Sequence, residues 1–151
     1  MTANRIDNAT HSDIPALVGL LTELFGIEKD FQPDAEKQVR GLELLMANPE
    51  QAVIKIARND SGKAIGMVSA QLVISTAQGA ASAWVEDMVV SGDYRGTGLG
   101  RTLLEAALEW ARGKGATRAQ LLVDMENQPA IGYYRHLGWE TTQLQARRIF
   151  L

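Results

Sequence analysis

The stretch VVSGDYRGTGLGRTLLEAALEW (residues 89–110) joins a short apolar run to a strongly periodic apolar segment, with four glycines between positions 92 and 100. Glycine in a helix interior costs up to about 1 kcal/mol relative to alanine. Gly96, Gly98 and Gly100 stand where a helix starts, so a local function must offset that cost. A strand, a glycine-rich turn and a helix N-terminus together form an anion site, because the first N–H groups of the helix lack internal partners and the peptide dipoles favour negative charge there. Glycine lets successive N–H groups converge and lets the backbone approach a ligand closely. Arg95 and Arg101 add guanidinium groups suited to phosphate oxygens. Arg101 lies in the first helical turn, where a cation opposes the dipole unless an anion is near. The expected ligand is a pyrophosphate.

Working outward, NRIDNA reads as a short strand. Thr10 and Asp13 are spaced as a capping box, with Pro15 in the first turn of the helix that follows. Ile14, Leu17, Leu21, Leu24 and Phe25 repeat at helical spacing up to Gly26. GIEKDFQPDAEKQ reads as a loop, and a second helix starts near Pro33, with Val39, Leu42, Leu45 and Met46 as its buried stripe. AVIKIAR (52–58) and AIGMVSAQLVIS (64–75) form a hairpin across NDSG, and AWVEDMVV (83–90) is a third strand. In the helix after the glycines, Leu99, Leu103, Ala107 and Trp110 share one face. RAQLLVD is a strand. Asn127 caps a helix that tolerates Pro129 in its first turn and stops at Gly138. WETTQLQARRIFL (139–151) is expected to finish as one or two strands. The order β-α-α-β-β-β-α-β-α-β puts antiparallel hairpins in the middle and sets two strands parallel through one helical crossover.

A Walker loop needs Lys-Ser/Thr after its last glycine, and here Arg101-Thr102 follows Gly100. The dinucleotide fingerprint needs glycine at position 101. What remains, Arg95-Gly96-Thr97-Gly98-Leu99-Gly100, resembles the acetyl-CoA pyrophosphate loop of the GNAT superfamily of N-acetyltransferases, written Q/R-x-x-G-x-G/A. Some thirty residues on, NQPAIGYYRHLGW (127–139) is similar to the family's second signature, Asn-x-x-Ala-x-x-x-Tyr followed by Gly and an aromatic. Asn127, Ala130, Tyr134, Gly138 and Trp139 match it. The aromatic is more often Phe.

The resemblance implies an α/β chain of mixed α+β type with the GNAT-like acyl-CoA N-acyltransferase fold. That fold is a mostly antiparallel twisted sheet with a central parallel strand pair and about four flanking helices, here in a single domain over 1–151. It implies acetyl-CoA as cosubstrate, no metal, and direct transfer to a primary amine in a ternary complex. The diphosphate is expected on Arg95, Gly96, Thr97, Gly98, Leu99, Gly100 and Arg101. The pantetheine arm is expected along Met88, Val89 and Val90, whose N–H groups also serve the carbonyl oxygen, on a strand that splays from the one holding Leu121. Asn127 and Tyr134 complete the cofactor set. The family pattern selects Tyr134, over Tyr133, as the acid for the departing thiolate. For the base, strand alternation sends Glu86 and Asp87 to opposite faces, Glu86 with Trp84, Met88 and Val90, and Asp87 with Val85 and Val89. Glu86 is favoured, through a water, with Asp87 as the alternative.

Length and composition are consistent with this. The 151 residues suit one domain with a sizeable core, with 46% hydrophobic and 22% charged residues. The net charge of −3 supplies no global field for nucleic acid. No cysteine is present, which removes disulfides, thiolate metal sites and a cysteine acyl-enzyme together. The two histidines, His11 and His136, read as structural or exposed. The N-terminus is polar and the apolar runs fall far short of the ~20 residues that span a bilayer, so the expectation is a cytoplasmic protein with no membrane partner. The acceptor is a small-molecule or protein amine. Glu28, Asp30, Asp34 and Glu36 would favour a cationic one, and Arg147-Arg148 an acceptor carrying a carboxylate or phosphate. A homodimer is compatible with the sequence. The competing readings are a catalytically silent acyl-CoA sensor and an unrelated nucleotide-binding domain.

Overall fold

A computed structural model of the chain describes residues 4–27 and 32–151. It has two compact units, Met1–Leu121 and Leu122–Leu151. The first contains β1 (Arg5–Asn8), a 3-10 turn (His11–Asp13), α1 (Ile14–Ile27), α2 (Ala35–Met46), β2 (Ala52–Arg58), β3 (Ala64–Ser75), β4 (Ala80–Val90), a second 3-10 turn (Gly92–Tyr94), α3 (Leu99–Gly113) and β5 (Ala116–Leu121). The second contains α4 (Gln128–His136). Among the described residues no helix is long and apolar enough to cross a membrane.

The sheet runs β1-β2-β3-β4-β5. Neighbours are antiparallel except β4 and β5, which lie parallel because α3 crosses between them. On one face Ile54, Ile56, Met67 and Val89 pack against Leu17, Leu20 and Leu21 of α1 and Leu42 of α2. Each such leucine contributes about 2 kcal/mol by leaving water. Helix α3 lies on the other face, burying Leu99, Leu103, Leu104, Ala107 and Ala111. The approach is close at Gly66, where a Cβ would stand 2.9 Å from Leu103 Cδ1 and 3.3 Å from the Val89 carbonyl oxygen.

The strands β2 and β3 fall at the bounds read from the sequence, although burial does not alternate along either. Other boundaries moved. Helix α1 continues through Gly26 to Ile27, and β4 begins at Ala80 rather than Ala83. Trp110 is only half-buried, since the helical stripe turns toward Ala111. The terminal strands expected in 139–151 do not form. Their apolar residues change parity, Leu144 and Ala146 against Ile149 and Leu151, so no single strand face collects them. Leu144, Ile149 and Phe150 are all exposed. The parallel pair therefore stands at one end of the sheet rather than at its centre. Asp34 caps α2, accepting from the Lys37 N–H at 3.2 Å. Glu28, Lys29 and Asp30 of the acidic loop lie outside the described residues.

The entry to α1 is tied to the sheet by charge. Asp13 accepts from the Thr10 N–H at 2.8 Å and receives both arms of the Arg58 guanidinium at 2.8 Å each. Arg58 also reaches Asp7 at 3.0 Å, so β1, β2 and the 3-10 turn that leads into α1 share one cation. The Arg58 hydrogen bonds hold the Asp13 carboxyl below its ordinary value, against the opposing effect of burial. Asp13→Ala leaves Arg58 short of its partner in a nearly buried site and is expected to cost about 3 kcal/mol. A depressed folded-state pKa stabilises above the unfolded value of about 3.9 and is lost as pH falls through the folded value. Urea midpoints of wild type and variant should therefore differ at pH 7 and converge as pH drops below about 4.

Candidate functional site

The end of β4 departs from regular alternation. Val89 pairs with Met67 and Glu86 with Ser69, so three steps along β4 face two along β3. This is a β-bulge at Asp87–Met88 opposite Val68. Asp87 has φ 55°, left-handed backbone that Asp tolerates better than most side chains. The Ser69 hydroxyl, buried beneath the bulge, donates to the Glu86 carbonyl at 3.1 Å. The extra residue corrects the face assignments expected from alternation. Trp84, Glu86 and Val89 share the α1–α2 face, while Val90 joins Val85 on the α3 face.

On its other side β4 runs past the end of its ladder with β5. The ladder with β5 ends at Val85 opposite Leu121, yet β4 continues through residues 86–90. The bulge and the part of β4 beyond the end of the β5 ladder thus fall on the same five residues.

Beyond β4, the glycine turn leads into α3. Gly96 (φ 77°) and Gly98 (φ 83°) adopt left-handed backbone, and a Cβ at either would meet nothing within 4 Å. These two glycines are required by conformation and not by packing. Thr97 Oγ1 donates to the Tyr94 carbonyl at 2.7 Å, and the first helical bond runs from the Thr102 N–H to the Gly98 carbonyl at 3.2 Å. Among the described residues, none supplies an acceptor to the backbone N–H groups from Gly96 through Arg101. Six successive donors at a helix N-terminus form a nest for an anion. Leu99 is buried, so its side chain anchors α3 and only its amide is available to a ligand.

The charged candidates are placed as follows. Glu86 is exposed and its Oε1 accepts from the Trp84 indole N–H at 2.6 Å. Asp87 sits at the bulge, half-buried. Arg101 pairs with Glu105 one turn on at 3.0 Å, an exposed pair that competes weakly with any ligand. The Arg95 guanidinium reaches Glu23 at 2.8 Å and the Val90 carbonyl at 3.0 Å.

In the second unit, the Asn127 side chain accepts from the Ala130 N–H at 3.2 Å and caps α4. At the other end Gly138 (φ 94°) donates to the Arg135 carbonyl and Trp139 to the Tyr134 carbonyl, both at 3.0 Å. This pair of bonds is a Schellman cap, which brings the residue after glycine back onto the last turn. The Trp139 ring accordingly meets the Tyr134 ring edge-on, with centroids 5.9 Å apart, and Tyr133 flanks it at 5.5 Å.

The sequence profile of the acetyltransferase (GNAT) family matches residues 16–139. The chain belongs to this family. It is 33% identical over 85 residues to an N-acetyltransferase of Methanocaldococcus jannaschii, a match covering 56% of this chain and 38% of the relative. The chain thus spans well under half the length of that relative. Among solved structures, a transcriptional regulator from Bacillus halodurans superposes with a TM-score of 0.85 at 24% identity, covering 98% of this chain and all of that one. An aminoglycoside N-acetyltransferase solved in complex with CoA gives 0.79 at 20% identity, covering 100% of this chain and 95% of that one. These two likenesses bear on the fold.

Within this GNAT chain, sequence reasoning missed Glu23 and Ser69. Glu23 lies on α1, remote in sequence from everything it touches, and Ser69 is one small polar residue in an apolar strand. Neither position carries a local signal. The nest itself yields a prediction. Gly98→Val places a β-branched side chain at φ 83°, which is strained even in open space. Calorimetric titration with CoA should show affinity reduced by roughly tenfold or more, about 1.4 kcal/mol. Wild-type affinity would contradict the nest as the diphosphate site.

Proposed function

We propose that this GNAT chain transfers the acetyl group of acetyl-CoA directly to a primary amine, and that residues 1–151 act as one catalytic domain. The observation that carries the reading is the run of unpaired amides from Gly96 through Arg101 at the start of α3. The family match spans both compact units, which supports treating them as one functional domain.

In this reading the diphosphate lies against the amides of Gly96, Thr97, Gly98, Leu99, Gly100 and Arg101, with Arg101 exchanging Glu105 for phosphate. The pantetheine arm follows the unpaired edge of β4 at Met88, Val89 and Val90. The acceptor arrives as an alkylammonium with a pKa near 10.4 and must lose a proton. Glu86 accepts it through a water, with Asp87 as the alternative base. The nitrogen lone pair then forms the C–N bond, and backbone N–H groups of Met88–Val90 stabilise the developing oxyanion. As the C–S bond breaks, the Tyr134 hydroxyl gives its proton to the thiolate; the nitrogen, cationic after attack, releases its second proton to solvent, and solvent reprotonates the tyrosine. Asn127 acts by capping the helix that carries Tyr134.

An amine panel followed by free CoA thiol tests the reaction directly. Thiol release dependent on an amine supports transfer, and tight CoA binding without release across the panel favours a silent sensor. Tyr134→Phe keeps the ring packing on Trp139 but removes the acid. It should lower kcat by about 100-fold while leaving CoA affinity nearly intact. Unchanged kcat with saturating acceptor would remove the hydroxyl from the mechanism.

A further inference from the structure

One carboxylate ties the turn before the nest to the opposite layer of the fold. Glu23 Oε1 accepts from the Gly92 N–H at 3.0 Å and from Arg95 at 2.8 Å. Arg95 in turn donates through Nε to the Val90 carbonyl at 3.0 Å. These bonds close a ring from α1 through the end of β4 and the 3-10 turn to the residue that heads the glycine loop. A second tether comes from the β2–β3 turn. There the Asn59 carboxamide oxygen accepts from the Ser61 and Lys63 N–H groups at 3.1 and 3.0 Å, and its amide donates to the Tyr94 hydroxyl at 3.2 Å. The turn is fastened on both sides while the next six amides stay unpaired.

We infer that Glu23 is a positioning residue for the diphosphate site, acting through Arg95 and Gly92 to hold the glycine loop in its anion-binding shape. This rests on the acyl-CoA reading above and gives α1 a role at the diphosphate site. Two physical facts make the assignment testable. First, the side chains of Glu23 and Arg95 are 37% and 49% exposed, so the pair itself adds little stability and its removal leaves the fold intact. Secondly, a carboxylate near an anion site is electrostatically unfavourable. If Arg95 bound phosphate directly, removing Glu23 would free it and tighten CoA binding. If the ring preorganises the loop, removing Glu23 weakens binding despite the lost negative charge.

The experiment compares CoA affinity by calorimetry with turnover on acetyl-CoA and on S-acetylpantetheine, which has the thioester arm but no diphosphate. Glu23→Ala should weaken CoA binding roughly fivefold to tenfold, and Glu23→Gln, which keeps an acceptor for the Gly92 N–H, should recover most of that loss. The kcat/KM for S-acetylpantetheine should stay within about twofold of wild type, a separation that general damage to the fold would not produce. Glu23→Ala with Arg95→Ala should lose less affinity than the two single losses combined, since the two residues share one hydrogen-bonded ring. Equal or tighter CoA binding by Glu23→Ala, equal losses on both acetyl donors, or additive losses in the double variant would overturn the inference. Wild type that fails to bind CoA would instead remove the acyl-CoA reading, and the clamp with it.

Discussion

A backbone N–H that finds no carbonyl must be met by water or by a ligand, and six in a row at a helix N-terminus concentrate that demand in one place. The local structure serves to keep it unmet from within. Left-handed backbone at Gly96 and Gly98 prevents the strand from running smoothly into the helix. The buried Leu99 fixes where α3 begins, and Leu103 and Leu104 press the helix onto the sheet. The dipole of α3 adds positive potential at the same point. A cation-rich loop could attract phosphate without such rigidity, but it would lose more conformational freedom on binding.

The strand leading into this turn has a matching property. Its ladder with β5 ends at Val85 and its bulge follows at once, so β4 is regular up to Val85 and irregular over 86–90, the residues that lead to the nest. An interior strand normally has both edges paired. Here one edge is released without exposing the core, because Val89 still packs under α1 and Val90 still faces α3. The buried hydroxyl of Ser69 meets the Glu86 carbonyl at the point where the ladder is disturbed.

Much of this was legible in the chain, and the division follows the range of the interactions. The hairpin of β2 and β3, the helix after the glycines, and the caps at Asn127 and Gly138 are specified by neighbours within a few residues. They emerged where alternation, helical period and turn chemistry placed them. The bulge depends on pairing between β3 and β4, and strict alternation put Val89 and Val90 on the wrong faces. The Glu23 tether joins residues about seventy positions apart. The terminal segment shows the converse. Its apolar residues suggested strands, but a strand also needs one consistent face and a partner, and residues 139–151 lack the first. The Gly138–Trp139 pair belongs to the second signature, and the Schellman cap explains it, since the cap is what lays the indole against the Tyr134 ring.

The extra residue in β4 is also a phase shift in the wiring of the core. Upstream of Asp87, even-numbered positions look toward α1 and α2. Downstream, odd-numbered positions do. Trimming one residue there would do more than straighten a strand. It would exchange the destinations of Val89 and Val90, sending one valine out of the leucine cluster under α1 and the other away from the close contact at Gly66. The two halves of the hydrophobic interior are thus synchronised through a single aspartate with left-handed backbone, and a length change in this strand disturbs both halves together.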